Sequence, residues 1–491
     1  MSATSASSAN PQRDTPSLPP QREVLTTATA PETRGIEVVE DDARHGRARD
    51  LFFVWSAPGI SVLNLTVGAS TTLVLGLEIW QGLLVLFASS FLAILPGYVA
   101  ISGPAAGTSG SVIQRAIYGI RGNKFVIAFY GWFISGVFLA LNWVAASFMG
   151  AELLTRWSFP DQTVALVLVA VVTAAVTVLV AIYGHALILR AYMGIAIGLS
   201  VIFAAVLGFI APSINWGFAQ AAPLGGLPLW SSLTIAFALF SSSPLSFSNS
   251  ADMSRYLPRD TKPSRIVGAT ALGNVFPGVI ISAFGVVLGG TVGAESLERG
   301  IEYSLLEQLP LWLAPAFVLG VIVNTIALNG MTIYSASMAL QSIGVPIRRI
   351  PSAVLIGVLG TAFTIVLVMS SSLIDSVNLM LQFLLVISVP TMAVYVADIA
   401  LRRNRYHGPE LFDERPGGTF WYTGGFGIAG LVSVIAGAVA TTLFLSTTVW
   451  TGPLGAALGH LDLSVPVGML VSVVLYALLA GPSIRKQTAA H

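Results

Sequence analysis

The chain has no cysteine among its 491 residues and few charged residues, at 10% of the total. The first absence excludes a disulfide framework, a thiolate nucleophile and a Cys-ligated metal site. Hydrophobic residues make up 55% of the chain, a balance that a water-soluble domain of this length could not keep in solution. The sequence therefore predicts an all-α polytopic membrane protein.

Enzyme and nucleic-acid signatures are also missing. The sequence contains no H-E-x-x-H, G-x-S-x-G or Walker motif, and its five His residues lie in tails, loops or span ends. The net charge of +1 says nothing about partners, and the sequence shows no basic patch that would favour nucleic acid. We expect no catalytic residue, no cofactor, no certain metal site and no obligate protein partner. The expected surroundings are the lipid bilayer.

Apolar runs of about 20 residues, long enough to cross a bilayer, occur about twelve times. With the amino terminus inside, only Arg156 and Arg299 of the 24 Lys and Arg residues fall outside. This asymmetry predicts a plasma-membrane protein with both termini in the cytoplasm. The predicted spans lie near 51–77, 80–102, 124–154, 163–184, 188–211, 232–253, 264–291, 310–341, 350–369, 375–400, 424–446 and 465–481.

The composition also divides the chain into regions. Residues 1–49 are rich in Ser, Thr, Pro and charge, so they predict a disordered cytoplasmic tail. Residues 50–211 and 212–400 form two predicted five-helix repeats. Two additional transmembrane helices follow at 401–483, and 484–491 is a second cytoplasmic tail.

Two apolar segments, five spans apart, are interrupted by Pro, Gly and polar residues. The first interruption contains Pro58 and Gly59, and the second runs from Ser241 to Ser250 through Pro244. Broken backbone at membrane depth is tolerated only where it lines a cavity or is buried in protein. Matching breaks in two halves of a chain predict the binding site of a secondary transporter.

Polar and aromatic residues near these breaks are candidates for substrate contacts. Asn142 and Asn329 occupy corresponding spans of the two halves, and an amide suits the edge of a planar heterocycle. The alternative is an interhelical hydrogen bond. Phe247 lies inside the second break and is suited to stacking on a flat ring, although most such aromatics only pack against helices or lipid.

Glu152 and Asp252 are the carboxylates that the sequence places nearest to a central cavity. A carboxyl group in apolar surroundings can carry a proton near physiological pH. A water-exposed position fits Glu152 equally well. For Asp252 the leading interpretation is a structural ion pair with Arg255, which follows it closely in the sequence.

Four stretches of the sequence resemble the nucleobase:cation symporter family, in its purine/cytosine permease branch. They are Glu32–Glu37, Asp50–Ala57, Gly107–Asn123 and Ser250–Pro258. The likeness covers about residues 32–485. It implies a leucine-transporter-type fold, with two inverted five-helix repeats and two extra helices, about twelve in all.

The resemblance also implies substrate contacts at certain positions. They are Asn142 on the third helix, Ser243 or Phe247 on the sixth, and Asn329 with Thr332 on the eighth. Ala146 departs from the pattern, since relatives often have an amide there.

Sodium-coupled members of this fold hold the ion with carbonyls of the first break and hydroxyls of the eighth helix. The corresponding positions here are the carbonyls of Ala57 and Ile60 and the hydroxyl of Thr325. That part of the eighth helix provides only the Thr325 hydroxyl and the Asn324 amide as possible ligands, and not a pair of hydroxyls. We therefore favour H⁺ as the coupling ion, with Na⁺ as the alternative.

The predicted function is therefore secondary active import of a nucleobase or related heterocycle, of the cytosine or purine type. Transport would be cation symport by alternating access. A carrier of allantoin or hydantoin-like compounds, or of other small heterocycles, is the alternative. A channel and a polytopic membrane enzyme are less favoured.

Overall fold

The computed structural model describes residues 30–292, 301–370, 373–447 and 450–489, without the side chains of residues 302, 370, 373–383, 488 and 489. These residues are overwhelmingly helical, as the apolar runs predict. A π-helix, Ile127–Ile134, joins the α-helices Ile120–Val126 and Ser135–Arg156 in one continuous span. The α-helices are α1 Ala48–Gly59, α2 Val62–Leu73, α3 Ile79–Ser90, α4 Ile94–Ala100, α5 Ser102–Ala106, α6 Gly110–Ile113, α7 Arg115–Tyr118, α8 Ile120–Val126, α9 Ser135–Arg156, α10 Gln162–Tyr183, α11 His185–Ile210, α12 Gly226–Ser246, α13 Ser250–Ser254, α14 Pro263–Gly289, α15 Ile301–Gln308, α16 Ala314–Ser342, α17 Arg349–Ser370, α18 Leu373–Arg402, α19 Ile428–Phe444, α20 Pro453–Ala457 and α21 Ser464–Ala489.

Within the described ranges, nine helical stretches are long and apolar enough to cross a membrane, or ten if α1 and α2 count as one bent span. The broken segment of α12 and α13 is not among them, and α19 is a shorter apolar helix. The prediction of a polytopic all-helical membrane protein is confirmed. The count of about twelve spans stays a prediction.

Both predicted breaks are present. The axis turns by 59° between α1 and α2, where Ile60 and Ser61 leave the helical conformation. The second break lies between α12 and α13, at residues 247–249. Pro58 and Pro244 lie within the last turn of α1 and α12 respectively. Proline has no N–H and its ring clashes with the preceding turn, so it weakens the helix at these places.

Glycines allow α2 to pack closely on α14. A Cβ at Gly68 would clash with the carbonyl oxygen of Ser282, and one at Gly285 would clash with that of Leu65. Small residues of this kind let two backbones approach within a membrane. The contact holds α2, which follows the first break, against the 27-residue helix α14.

The described part of the amino-terminal segment, residues 30–47, packs against the helices, although the sequence analysis assigned it to a disordered tail. Glu32 is buried and forms an ion pair with Arg255, with Nη2 3.1 Å from Oε1. Arg349 Nη1 donates to the Glu32 carbonyl oxygen at 2.7 Å. We call the end of the molecule that contains Glu32, Arg255 and Arg349 the basic side. Charge pairing with distant arginines orders a segment that could not fold alone.

Candidate substrate and ion site

Two cavities meet at the helix breaks. The first cavity lies toward the basic side and includes Gln114, Tyr130 and Asn249 in its wall. The second cavity lies on the other side of the breaks and includes Asn64 and Ser243. A mostly apolar partition lies between the two. Six residues line both cavities: Pro58, Phe138, Ser246, Phe247, Leu328 and Leu384.

Polar groups of the second break line the first cavity. Asn249 Nδ2 donates to Ser335 Oγ at 2.9 Å. The buried Asp252 accepts a hydrogen bond from the Gly110 N–H at 2.7 Å, and Ser335 lies close to its carboxylate. Three elements, the second break, the start of α6 and the middle of α16, thus converge on one carboxylate.

Two buried polar atoms of this wall have no hydrogen-bond partner among the described residues. They are Trp55 Nε1, a donor, and Asn249 Oδ1, an acceptor. The Trp55 ring meets the Phe247 ring edge to face, with centroids 4.8 Å apart. An unpaired donor and an unpaired acceptor beside aromatic rings could hydrogen-bond to, and stack on, a planar polar ring.

The π-helix adds a further part of the same wall. Tyr130 lies within it, and the Tyr130 hydroxyl is 3.3 Å from both the carbonyl oxygen of Ser246 and the hydroxyl of Ser248. A π-helical turn is rare and is frequently found at functional sites. No feature of the sequence analysis indicated this turn, because its apolar residues also fit an ordinary helix.

A family model described as permease for cytosine/purines, uracil, thiamine, allantoin matches residues 38–468. The chain belongs to this family of membrane permeases. It is 25% identical over 477 residues to "Putative purine-cytosine permease YxlA" of Bacillus subtilis (strain 168), which covers 93% of this chain and 97% of that protein. It is 22% identical to "Purine-cytosine permease FCY22" of Saccharomyces cerevisiae, over 92% and 86% of the two chains.

Solved structures agree on the fold. Mhp1, a nucleobase-cation-symport-1 family transporter, in a closed conformation with bromovinylhydantoin bound, matches with a TM-score of 0.69 at 17% identity, over 94% of this chain and 97% of the other. A Na⁺-coupled sialic acid symporter matches with a TM-score of 0.58 at 12% identity, over 90% and 91%. The predicted transporter fold and the membership of the nucleobase:cation symporter family are confirmed, and the permease is not an enzyme.

The structure separates the five predicted substrate residues into two groups. Thr332 lines the first cavity, Ser243 lines the second and Phe247 lines both. Asn142 and Asn329 are in neither lining. Asn142 Nδ2 donates to Asn329 Oδ1 at 3.1 Å, and Asn329 Nδ2 donates to the Leu139 carbonyl oxygen at 2.9 Å. This is the interhelical arrangement that the sequence analysis kept as the alternative.

The two predicted proton carriers also differ. Glu152 lies at the end of α9, where its partly exposed side chain pairs with Arg156 at 3.1 Å. Asp252 is buried in the wall of the first cavity. The expected ion pair between Asp252 and Arg255 is replaced, because Arg255 pairs with Glu32. The sequence could not indicate that partner, since Glu32 lies more than 200 residues away along the chain.

Of the predicted cation ligands, Ala57 and Ile60 lie at the first break, and Thr325 follows Asn324 on α16. All three residues are buried. The Ala57 carbonyl oxygen, however, already accepts a hydrogen bond from Asn324 Nδ2 at 2.8 Å. No cluster of three or more His, Cys, Asp or Glu residues suited to a metal ion occurs in the described ranges.

Proposed function

We propose that this permease imports a nucleobase or a closely related heterocycle together with a proton. The observation that carries the proposal is the pair of cavities on either side of one mostly apolar partition, at the point where both helix breaks meet. Alternating access needs such a site, which each side of the membrane reaches in turn. A channel would instead need a continuous polar pore, and five of the six residues shared by the two cavities are apolar.

The chemistry of the wall supports a flat substrate with adjacent donors and acceptors. Asn249 Oδ1 would accept from a ring N–H and Trp55 Nε1 would donate to a ring carbonyl or nitrogen. Both atoms are buried, so the two side chains would rotate on binding. Phe247 would stack on the ring, while Thr332 and Ser243 would contact it from the two cavities.

Asp252 would be the proton acceptor. Its carboxylate is buried beside the proposed substrate position and accepts a hydrogen bond from the neutral Gly110 N–H. Protonation would remove a buried charge from the cavity wall and so make its rearrangement easier. Glu152 is a weaker candidate because it pairs with Arg156 near the surface.

Uptake by purified protein in liposomes tests the proposal. We expect concentrative uptake of labelled cytosine or a purine that follows an inward pH gradient. Competition with a panel of pyrimidines, purines and hydantoins ranks the substrates. Preference for hydantoins or allantoin would support the alternative substrate class. Passive flux without a gradient would contradict symport.

The proposed orientation places both termini in the cytoplasm of a plasma-membrane protein. Because the chain has no cysteine, single cysteines report topology without background. Ser158 and Asp260 are exposed and lie in loops that the proposal assigns to opposite sides. On intact cells an impermeant maleimide should label Ser158→Cys and spare Asp260→Cys. The reverse pattern would invert the topology.

A further inference from the structure

The last turn of α1 lacks its usual backbone donors. In a continuous helix the Ser61 N–H would bond to the Ala57 carbonyl, and the Leu63 N–H to the Gly59 carbonyl. At the break the Ser61 N–H turns to Gly59 O at 3.0 Å, and the Leu63 N–H turns to Ser61 Oγ at 3.2 Å. The carbonyl oxygens at the end of α1 therefore lack the N–H donors that a continuous helix would provide.

Two asparagine side chains supply N–H donors instead. Asn324 Nδ2, from α16, donates to the carbonyl oxygens of Ala57 and Pro58 at 2.8 and 3.2 Å. Asn64 Nδ2, from α2, donates to Gly59 O at 2.8 Å. Asn324 is 4% exposed, so its amide is held in place by the surrounding protein.

Carbonyl oxygens at the carboxyl end of a half-helix carry partial negative charge, and transporters use them to coordinate cations. Here the same oxygens face the hydrogens of a neutral amide that belongs to the chain. A sodium ion at this position would have to displace Asn324 from both carbonyls. The donor set at this break therefore does not fit sodium.

We infer that Asn324 takes the place of a cation at the first break and makes this permease independent of sodium. The inference rests on the proposed symport, because it leaves the coupling to a proton carried elsewhere. Asn324 is a positioning residue in this account. It holds the end of α1 against α16 in the way that a bound ion would.

Thermal unfolding of the purified protein in sodium chloride and in choline chloride tests the inference. The wild type should melt at the same temperature in both salts. Asn324→Asp keeps the size of the side chain but turns an oxygen toward the two carbonyls, so a cation is needed to relieve the repulsion. This variant should melt several degrees higher in sodium than in choline, because a ligand that binds only the folded state stabilises it.

Asn329→Asp is the matched control. Asn329 lies on the same helix and its Nδ2 also donates to a backbone carbonyl, that of Leu139. Leu139 lies inside α9 and not at a helix end. The same substitution there should give no sodium-specific stabilisation. Asn324→Leu, which removes the donor and adds no ligand, should lower stability equally in both salts.

Stabilisation of the wild type by sodium over choline would overturn the inference. So would a folded Asn324→Asp protein whose sodium response does not exceed that of Asn329→Asp. If Asn324→Asp cannot be purified in either salt, Asn324→Ser, which offers a hydroxyl beside Thr325, is measured instead, with the same two outcomes. None of these measurements uses a substrate, so an error in the proposed substrate class would leave them unchanged.

Discussion

The first helix break and the basic side both bury polar groups, but they satisfy them differently. At the break, the neutral amides of Asn324 and Asn64 bond to backbone carbonyls. On the basic side, Glu32 faces Arg255 and Arg349, and the side chains of both arginines are fully buried. The Tyr256 and Tyr334 hydroxyls also donate to Glu32 Oε1, at 2.7 and 3.1 Å.

The predicted topology, which places the first break deeper in the membrane than the Glu32 cluster, accounts for the difference. A full charge near the bilayer centre is expensive, whereas a hydrogen-bonded amide carries no net charge. The Glu32 cluster joins the amino-terminal segment to the ends of the helices, where water lies closer during folding. Buried ion pairs are costly to break once formed, because the remaining partner is left uncompensated. We therefore expect the charged region to dominate stability and the neutral region to control ion dependence.

The largest effect should come from Glu32→Ala. It leaves Arg255 and Arg349 buried without their carboxylate, at a cost of about 3–5 kcal/mol in the free energy of unfolding. Asp41→Ala is the control, because Asp41 also pairs with arginines but its side chain is 70% exposed. We expect that control to change stability by less than about 0.5 kcal/mol. Equal melting temperatures for the two variants would contradict the claim that the buried charge cluster dominates stability.

The pH dependence of stability provides a second test of the same cluster. Burial alone would raise the pKa of Glu32, but the charges of Arg349 and Arg255 and the His185 N–H outweigh it and lower the pKa to about 2. A carboxyl whose pKa is lowered by folding stabilises the protein above its unfolded pKa, near 4.5. That stabilisation is lost as the pH falls from about 4.5 toward 2.

Melting temperature measured across this range should therefore fall more steeply for the wild type than for Glu32→Gln, which has no proton to bind. Parallel curves for the two proteins would show that another group carries the acid sensitivity.

A smaller effect is expected at the first break. Asn324→Leu leaves the Ala57 and Pro58 carbonyls without a donor, which should cost about 1–3 kcal/mol. Asn64→Leu removes one hydrogen bond at a half-buried site and should cost less. Chemical denaturation in choline chloride measures both. If Asn64→Leu were the more damaging, α1 would be held mainly by α2, and the role assigned to Asn324 would be too large.

Local features of the sequence were sufficient to predict the helical spans and both breaks. Apolar runs and the positions of Pro58 and Pro244 carry that information directly. The π-helix at 127–134 was not predictable, because its residues are ordinary helix formers in a membrane.

Hydrogen-bond partners that lie far apart in the chain could not be predicted from local sequence features. Asn324 bonds to Ala57, Glu32 to Arg349, and Asn142 to Asn329 across 187 residues or more. A list of polar residues in spans identifies Asn142, Asn324 and Asn329 as candidates, but it omits Glu32, which precedes the first span. Only the packing of helices decides which of them face each other and which face a cavity. Asn249 and Ser335 stood within the predicted segments, yet their convergence on Asp252 required the fold.

The smallest expected change separates substrate contacts from helix contacts. Asn249→Ala should weaken substrate affinity about tenfold, equivalent to about 1.4 kcal/mol, because Oδ1 is an unpartnered acceptor in the cavity wall. Asn329→Ala should instead lower stability by about 1 kcal/mol and leave affinity nearly unchanged, because its amide already bonds to Asn142 and Leu139. Binding titrations and melting temperatures on both variants distinguish the two roles. A tenfold loss of affinity in Asn329→Ala with normal stability would instead support the prediction from the sequence that both asparagines bind the substrate, which would then have to break their mutual hydrogen bond.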